Sequence, residues 1–315
     1  MYVFIINPIA GNGRSKRIFS KIKRSELYQR IESINYFTDY SGHAEEIMEQ
    51  IKDKDITCVI VIGGDGTVHE VVNGMSSLYI PLAFIPAGSG NDFARGCNIK
   101  GDSLTIFEQI IKGNNRIPYW IGRYQIDNVK RCFVNSIGFG FDAEIADVAN
   151  KSRYKKFFNK FRLGTLSYCF ALVHVLLYFK PMTMELEING EKRHMKNCWM
   201  MTIANHPFYG GGMKIIPHAK IQANTFPVLL IHSISKWKVL AFFMTVFTGK
   251  HVNFKEVELV EASQIKMSSN KKVSFQVDGQ TSTSTTCIIT KSRHRMSVNG
   301  FPVNVKREQT NISLK

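Results

Sequence analysis

The chain has 315 residues, 44% hydrophobic and 21% charged, with 41 Lys and Arg against 25 Asp and Glu and a formal charge of +16. This apolar fraction excludes a disordered chain, and the length suits two domains with separate cores. The cationic excess points to a polyanion (nucleic acid, an acidic membrane face or a phosphorylated small molecule) without choosing among them.

The first third alternates strand-like and helix-like patterns. Residues 3–6 form a β-type run that ends at Asn7-Pro8 and enters Gly11-Asn12-Gly13, followed by a basic helical pattern around Ile18 and Ile22. A second run, 34–37, ends at Thr38 and precedes a helix with Ala44, Ile47, Met48 and Ile51 on one face. Residues 57–62 open into Gly63-Gly64-Asp65-Gly66-Thr67, and 80–85 open into Ala87-Gly88-Ser89-Gly90-Asn91-Asp92. Such alternation predicts a parallel sheet covered by helices, with its turns delivered at the carboxyl ends of the strands, where open α/β sheets bind ligands. From about residue 130 onward short β-rich runs dominate, with Asn-Gly turns at 189–190 and 299–300 and helical stretches at 163–179 and 237–248. A mainly antiparallel second domain is expected. The 163–179 stretch, interrupted by Ser167 and His174, reads as a buried or interfacial helix and not as a bilayer span. Six scattered cysteines without a C-x-x-C predict neither a disulfide framework nor a zinc site, and a cytoplasmic protein is expected.

The Gly-rich turns carry the chemistry. Consecutive glycines let a backbone approach a phosphate chain and aim N–H groups at it. Asp65 would orient a magnesium ion or a phosphate-bound water, Ser89 and Asn91 would donate to nucleotide oxygens, and Arg95 would pair with a phosphate. Neither turn fits G-x-x-x-x-G-K-[ST] or completes G-x-G-x-x-G, and no G-x-S-x-G occurs. These absences argue against a Walker-A protein, a dinucleotide-binding dehydrogenase and an α/β-hydrolase.

The set Asn7-Pro8 to Gly11, GGDGTVHEVVNG at 63–74 and IPAGSGNDFARG at 85–96 resembles the bacterial diacylglycerol kinase type of lipid kinase. The resemblance continues at Gly210-Gly211-Gly212-Met213 and Val277-Asp278-Gly279 and covers nearly the whole chain; the GGDGT piece alone is shared with NAD kinases. It implies an α/β nucleotide-binding domain with a parallel sheet, here 1–125, and a mainly antiparallel β-sandwich-like lipid-substrate domain, here 126–291, with about 292–310 returning to the first. By position, the family's ATP contacts fall on Asn7, Pro8, Ile9, Ala10, Gly11, Thr38, Gly64, Asp65, Gly66, Thr67, Val68, His69, Glu70 and Ser89. Its acidic pair falls on Asp278 and Gln280, with Asp278 the implied base and Asp65 the implied catalytic magnesium ligand. Four positions depart from the family pattern. Gln280 stands where the family has Glu, Ala223 and Pro227 replace both carboxylates of its structural magnesium motif, and Trp120 replaces an Asp.

Lys151, Arg153, Lys155, Lys156, Lys160 and Arg162 interleave with Phe157 and Phe158, and no acidic residue occurs from 148 to 184. Given a lipid substrate, this stretch is expected to dock on an anionic membrane. No nucleic-acid-binding module is recognisable, and a homodimer is left open. Three readings stand, in this order: an ATP- and Mg²⁺-dependent lipid kinase acting at the cytoplasmic membrane face, an NAD kinase-like soluble phosphotransferase, and a nucleotide- and membrane-binding relative that has lost catalysis.

Overall fold

The computed structural model describes residues 1–75, 77–113, 115–151 and 164–301. β1 (Tyr2–Ile6), β3 (Cys58–Gly63) and β4 (Leu82–Pro86) are Val- and Ile-rich and buried nearly end to end, as strands covered on both faces must be. With β2 (Ser33–Phe37), β5 (Arg116–Tyr119) and the C-terminal β17 (Met296–Asn299) they form one sheet in the order β2-β1-β3-β4-β17-β5. All neighbours are parallel except β17 and β5.

One face of this sheet is covered by α1 (Arg14–Lys23), α2 (Glu26–Gln29) and α6 (Ser103–Lys112), which close around Phe4. Its ring lies 5.7, 5.5 and 6.1 Å from those of Phe19, Tyr28 and Phe107. The other face is covered by α3 (His43–Gln50), α4 (Asp65–Gly74) and α5 (Asp92–Gly96), each presenting apolar residues at helical spacing.

The second domain begins with β6 (Gly122–Ile126), β7 (Val129–Phe133) and β8 (Ser136–Gly140), followed by α7 (Phe141–Lys151) and α8 (Gly164–Tyr178). β9 (Met182–Ile188), β10 (Glu191–Ala204), β13 (Phe226–His232), β14 (Val257–Ala262), β15 (Gln264–Val277) and β16 (Gln280–Lys291) complete an antiparallel sheet, with α9 (Lys236–Val246) before β14. Two short strands, β11 (Phe208–Tyr209) and β12 (Met213–Lys214), pair with each other. Because β9 pairs with both β10 and β15, the sheet folds back on itself and encloses an apolar interior. A separate core lies outside it, under α7, α8 and α9.

Turn chemistry fixes two hairpins. Asn189-Gly190 and Asp278-Gly279 both take positive φ at both positions, 52° and 92° in the first and 49° and 90° in the second, the turn that matches strand twist. Asn299-Gly300, expected as a similar turn, instead ends β17, where Gly300 packs on the Cys97 carbonyl.

The loops after β1, β3 and β4 touch one another, and glycine permits it. Gly11 has φ +57°, and a Cβ there would lie 2.0 Å from the Ala87 carbonyl oxygen; one on Gly88 would lie 2.8 Å from the Gly64 Cα. Gly66, in α4, faces open space. Gly11→Ala is therefore expected to destabilise the protein by about 1–3 kcal/mol, whereas Gly66→Ala raises stability by about 0.5–1 kcal/mol. Urea unfolding of the two variants beside wild type checks both signs.

Candidate active site

The three Gly-rich loops form one wall of a cleft of about 1380 Å³, and the β15–β16 hairpin with the Tyr209–Gly211 turn forms the other. Asn7, Pro8, Ile9, Ala10 and Gly11 line it from the first loop and Thr38 from the end of β2. Gly64, Asp65, Gly66, Thr67 and Glu70 come from the start of α4, Ser89 from the third loop, and Asp278 and Gln280 from the hairpin.

Short-range bonds hold these loops. The Asn7 amide donates to Thr67 Oγ1 at 3.2 Å, and its side-chain oxygen accepts from Ile9 N at 3.2 Å, tying the first loop to α4. Glu70 caps α3, accepting from Ala44 N at 3.3 Å and from the Ser41 hydroxyl at 3.4 Å. Asp65 accepts from Phe93 N at 2.9 Å and Asp92 N at 3.1 Å, so the GGDGT turn clamps the first turn of α5. Asp92 in turn accepts from Gly211 N at 2.7 Å and from Arg95 at 2.9 Å.

Asp65 and Asp92 are adjacent: a Cβ placed on Gly90 would lie 3.1 Å from one carboxylate and 3.9 Å from the other. Burial first, then the Asp92 charge, pushes the Asp65 carboxyl up to about 6. Burial likewise raises Asp92, against the bonds from Gly211 and Arg95.

Four residues expected at the nucleotide do not line the cleft. Val68 is fully buried in the core beneath α4. The Asn91 amide donates to the Gly88 carbonyl at 2.8 Å and folds the third loop on itself. Arg95 is occupied by Asp92 and the Gly90 carbonyl, because the i,i+3 spacing on α5 brings its guanidinium back to the loop it follows.

His69, the fourth, points the other way, to Asp278. Its Nδ1 donates to Asp278 Oδ2 at 2.8 Å, the tautomer that a carboxylate partner selects. Val134 N also donates to Oδ2 at 2.8 Å, while Asn135 N and Ser136 N donate to Oδ1 at 2.8 and 3.1 Å. The carboxylate is fully buried and all of its accepting positions are taken. Asp278 thus sits at the cleft as backbone, with its charge turned into a junction between domains. The implied proton acceptor has no accepting position left for a substrate hydroxyl in this arrangement.

The junction extends further back. The Val134 carbonyl accepts from the Tyr119 hydroxyl and from Asn205 at 2.8 Å, and Asn205 accepts from buried Lys291 at 2.6 Å. Burial lowers the Lys291 ammonium to about 7, and it lies 5.3 Å from the Phe226 ring centroid.

Ala223 to Pro227, where the resemblance places a structural magnesium motif, closes by a bond from Thr225 N to the Ala223 carbonyl at 2.8 Å and by Gln222 donating to Thr225 at 2.9 Å. Among the described residues no group of three or more His, Cys, Asp or Glu side chains is arranged to hold a metal ion. The Asp65–Asp92 pair does fit magnesium carried on phosphates, since that ion needs one or two carboxylates beside phosphate oxygens and water. Residues 152–163, with most of the expected membrane stretch, lie outside the described residues; Lys151 pairs with Asp147 at 2.7 Å.

Several lining residues had a readable signal that went unused. Arg14 and Arg17 belong to the basic helix after the first loop, and Asp92 closes the second Gly-rich motif. Tyr209, Asn135 and Asn150 reach the cleft only through tertiary folding and gave no signal.

Residues 1–117 match the diacylglycerol kinase catalytic domain and 135–294 match the YegS C-terminal NAD kinase beta sandwich-like domain. The lipid kinase homologue YtlR of Bacillus subtilis is 33% identical over 288 residues, covering 89% of this chain and 93% of that one. The chain belongs to the diacylglycerol kinase family of lipid kinases. A diacylglycerol kinase of Mycobacterium tuberculosis is 27% identical over 83% of this chain and 82% of its own. Among solved structures, a diacylglycerol kinase homologue from Bacillus anthracis superposes with a TM-score of 0.76 at 20% identity, covering 96% of each chain. An Archaeoglobus fulgidus NAD kinase solved with ATP gives 0.51 at 11% identity over 95% and 93% of the two chains, so the fold is the one lipid and NAD kinases share.

For this family member the Asp278 junction yields a test. Asp278→Ala strands three backbone N–H groups and a histidine in a buried site and is expected to cost about 3–5 kcal/mol. Urea unfolding measures it. A variant with native stability and no phosphoryl transfer would return Asp278 to the chemistry.

Proposed function

We propose that this protein is an ATP-dependent lipid kinase that transfers the γ-phosphate to the hydroxyl of a diacylglycerol-like lipid at a membrane surface. The observation that carries this reading is the join between two cavities. The polar, glycine-walled cleft shares Tyr209, Met213 and Phe243 with a narrow, almost wholly apolar cavity lined by Ile145, Leu172, Trp199, Ile231 and Phe242. A phosphate chain suits the first, and the second, at about 50 Å³, takes a few methylene groups at the head of an acyl chain. At the join lies Asp142, fully buried, with Oδ2 receiving the hydroxyls of Tyr209 at 3.3 Å and Thr202 at 3.4 Å and Oδ1 without a partner. Burial pushes its carboxyl up to about 7. A polar headgroup entering there would satisfy an oxygen that is otherwise costly to bury. NAD carries no alkyl chain to place in this narrow apolar cavity, which puts the NAD kinase-like reading second.

Asp65 is the best-placed base. It lines the cleft, is only partly buried, and its carboxyl near 6 is matched to proton transfer at neutral pH. As the lipid oxygen bonds to the γ-phosphorus and the bond to ADP breaks, Asp65 would take the hydroxyl proton. Arg14 and Arg17 would face the phosphate charge from α1. Magnesium, held by Asp92 and the phosphates with Asp65 alongside, would supply charge neutralisation. Gln280 lies exposed at the cleft, so the missing family glutamate removes a surface carboxylate and leaves the Asp65–Asp92 pair in place, against the reading in which catalysis is lost.

Transfer of label from ATP to diacylglycerol in mixed micelles, run beside transfer to NAD, tests this reading. Label is expected in the lipid; label in NAD alone overturns it. Asp65→Asn is expected to lower transfer by about 10²–10⁴-fold while the protein stays folded. In wild type, kcat/KM should fall as pH drops through about 6, because protonation removes the base. The stability sign is opposite: a carboxyl raised in the folded state favours folding at low pH, and that contribution is lost as pH rises through about 6. Activity and thermal melting recorded across pH 4–8 would show the two trends crossing.

A further inference from the structure

We infer that the outer faces of α8 and α9 form a docking surface for an anionic lipid bilayer. α9 is apolar on two sides. Val239, Phe242 and Val246 point into the core, while Trp237, Leu240, Met244 and Phe247, spaced 3, 4 and 3 residues apart, form an exposed stripe. Trp237 is 83% exposed and Met244 73%. A soluble helix ordinarily carries charged or polar residues on that face.

α8 repeats the arrangement. Leu172, Val175 and Leu176 are buried, while Val173, Leu177 and Tyr178 are exposed by 50, 64 and 73%. The Lys236 ammonium donates to the Leu177 carbonyl at 2.7 Å, which brings the start of α9 beside the end of α8, and both stripes are assigned to one docking surface. No helix among the described residues is long and apolar enough to cross a membrane, so this face would lie on a bilayer and not in it as a span.

Charge selects the occupant. Neither 164–180 nor 233–255 contains an acidic residue, and together they carry Lys180, Lys236, Lys250 and Lys255, besides Lys238, which is paired with Glu256 at 2.7 Å. Exposed aromatic and aliphatic side chains ringed by lysines suit an anionic leaflet, where each basic residue contributes about 1 kcal/mol. A second copy would set the same lysine-bearing face against itself in a two-fold dimer, which like charges oppose. The placement also serves the chemistry: Phe243 of α9 lines the large cleft, and Phe247, just past the helix end, both closes the exposed stripe and reaches the cleft rim, so a leaflet under this helix meets the acceptor end of the site.

The purpose of the surface rests on the lipid-kinase reading, but the surface itself does not, and its test needs no turnover. The full-length protein is sedimented with vesicles of phosphatidylglycerol and phosphatidylcholine, and with vesicles of phosphatidylcholine alone, in the absence of ATP. Wild type is expected to prefer the anionic vesicles. The double variant Trp237→Ser/Met244→Ser should bind them about tenfold more weakly or worse. Its melting temperature and its transfer to a short-chain diacylglycerol dissolved as monomers should not change. Lys180→Glu/Lys250→Glu should abolish the preference for phosphatidylglycerol. Absence of wild-type binding, equal binding by the Trp237/Met244 variant, or a wild-type dimer that this variant splits into monomers overturns the proposal. Vesicle binding with the expected variant effects but no lipid phosphorylation would overturn the kinase reading and leave the docking surface standing.

Discussion

The Asp278 carboxylate holds the active site together. It sits at the tip of a hairpin in the β-rich domain and takes four hydrogen bonds, one from α4 of the nucleotide domain and three from the backbone that leads into β8. A buried carboxylate with this many donors is stable only if all of them arrive together. Of the four, the His69 bond crosses between the domains beside the cleft. Asn73 extends the seam by exchanging two bonds with the Cys132 backbone, at 2.9 and 3.1 Å, and Arg131 adds a paired contact with Glu45. Both flank α4, the helix that also delivers Asp65.

The acidic residues of the site divide into two kinds. Asp278 is satisfied by donors and serves structure. Asp65 and Asp92 are raised by burial, and Asp65 also by its neighbour's charge. They stay beside each other because each accepts backbone N–H groups of a neighbouring turn. Such a pair costs stability on its own and becomes favourable beside cations, which fits a site meant to receive phosphate with its counter-ions. The +16 charge of the chain supports that function without defining it: Arg14 and Arg17 face the cleft, while many other basic residues pair locally or lie on the surface.

Much of this was legible in the chain. The Val- and Ile-rich runs before each Gly-rich turn identified a parallel sheet, and the glycines marked where loops must touch, as Gly11 does against Ala87. The motifs placed the glycine-walled side of the cleft, from Asn7 to Gly11, from Gly64 to Thr67 and at Ser89. The failures share one cause. Arg95, Asn91 and His69 fall within the nucleotide motifs, yet each points back into a loop or toward the other domain. A motif states which residues are near a ligand and not which way each side chain turns.

The sequence by itself determined the fold class, the phosphate-type loops and the family, because those depend on local periodicity, turn chemistry and contiguous motifs. Only the tertiary structure decided which aspartate is exposed to the cleft, where the polar cleft joins an apolar cavity, and which helix faces stay uncovered. Each of those depends on residues far apart in the chain, such as His69 and Asp278, 209 positions apart, whose burial and hydrogen-bond partners exist only once both domains have packed.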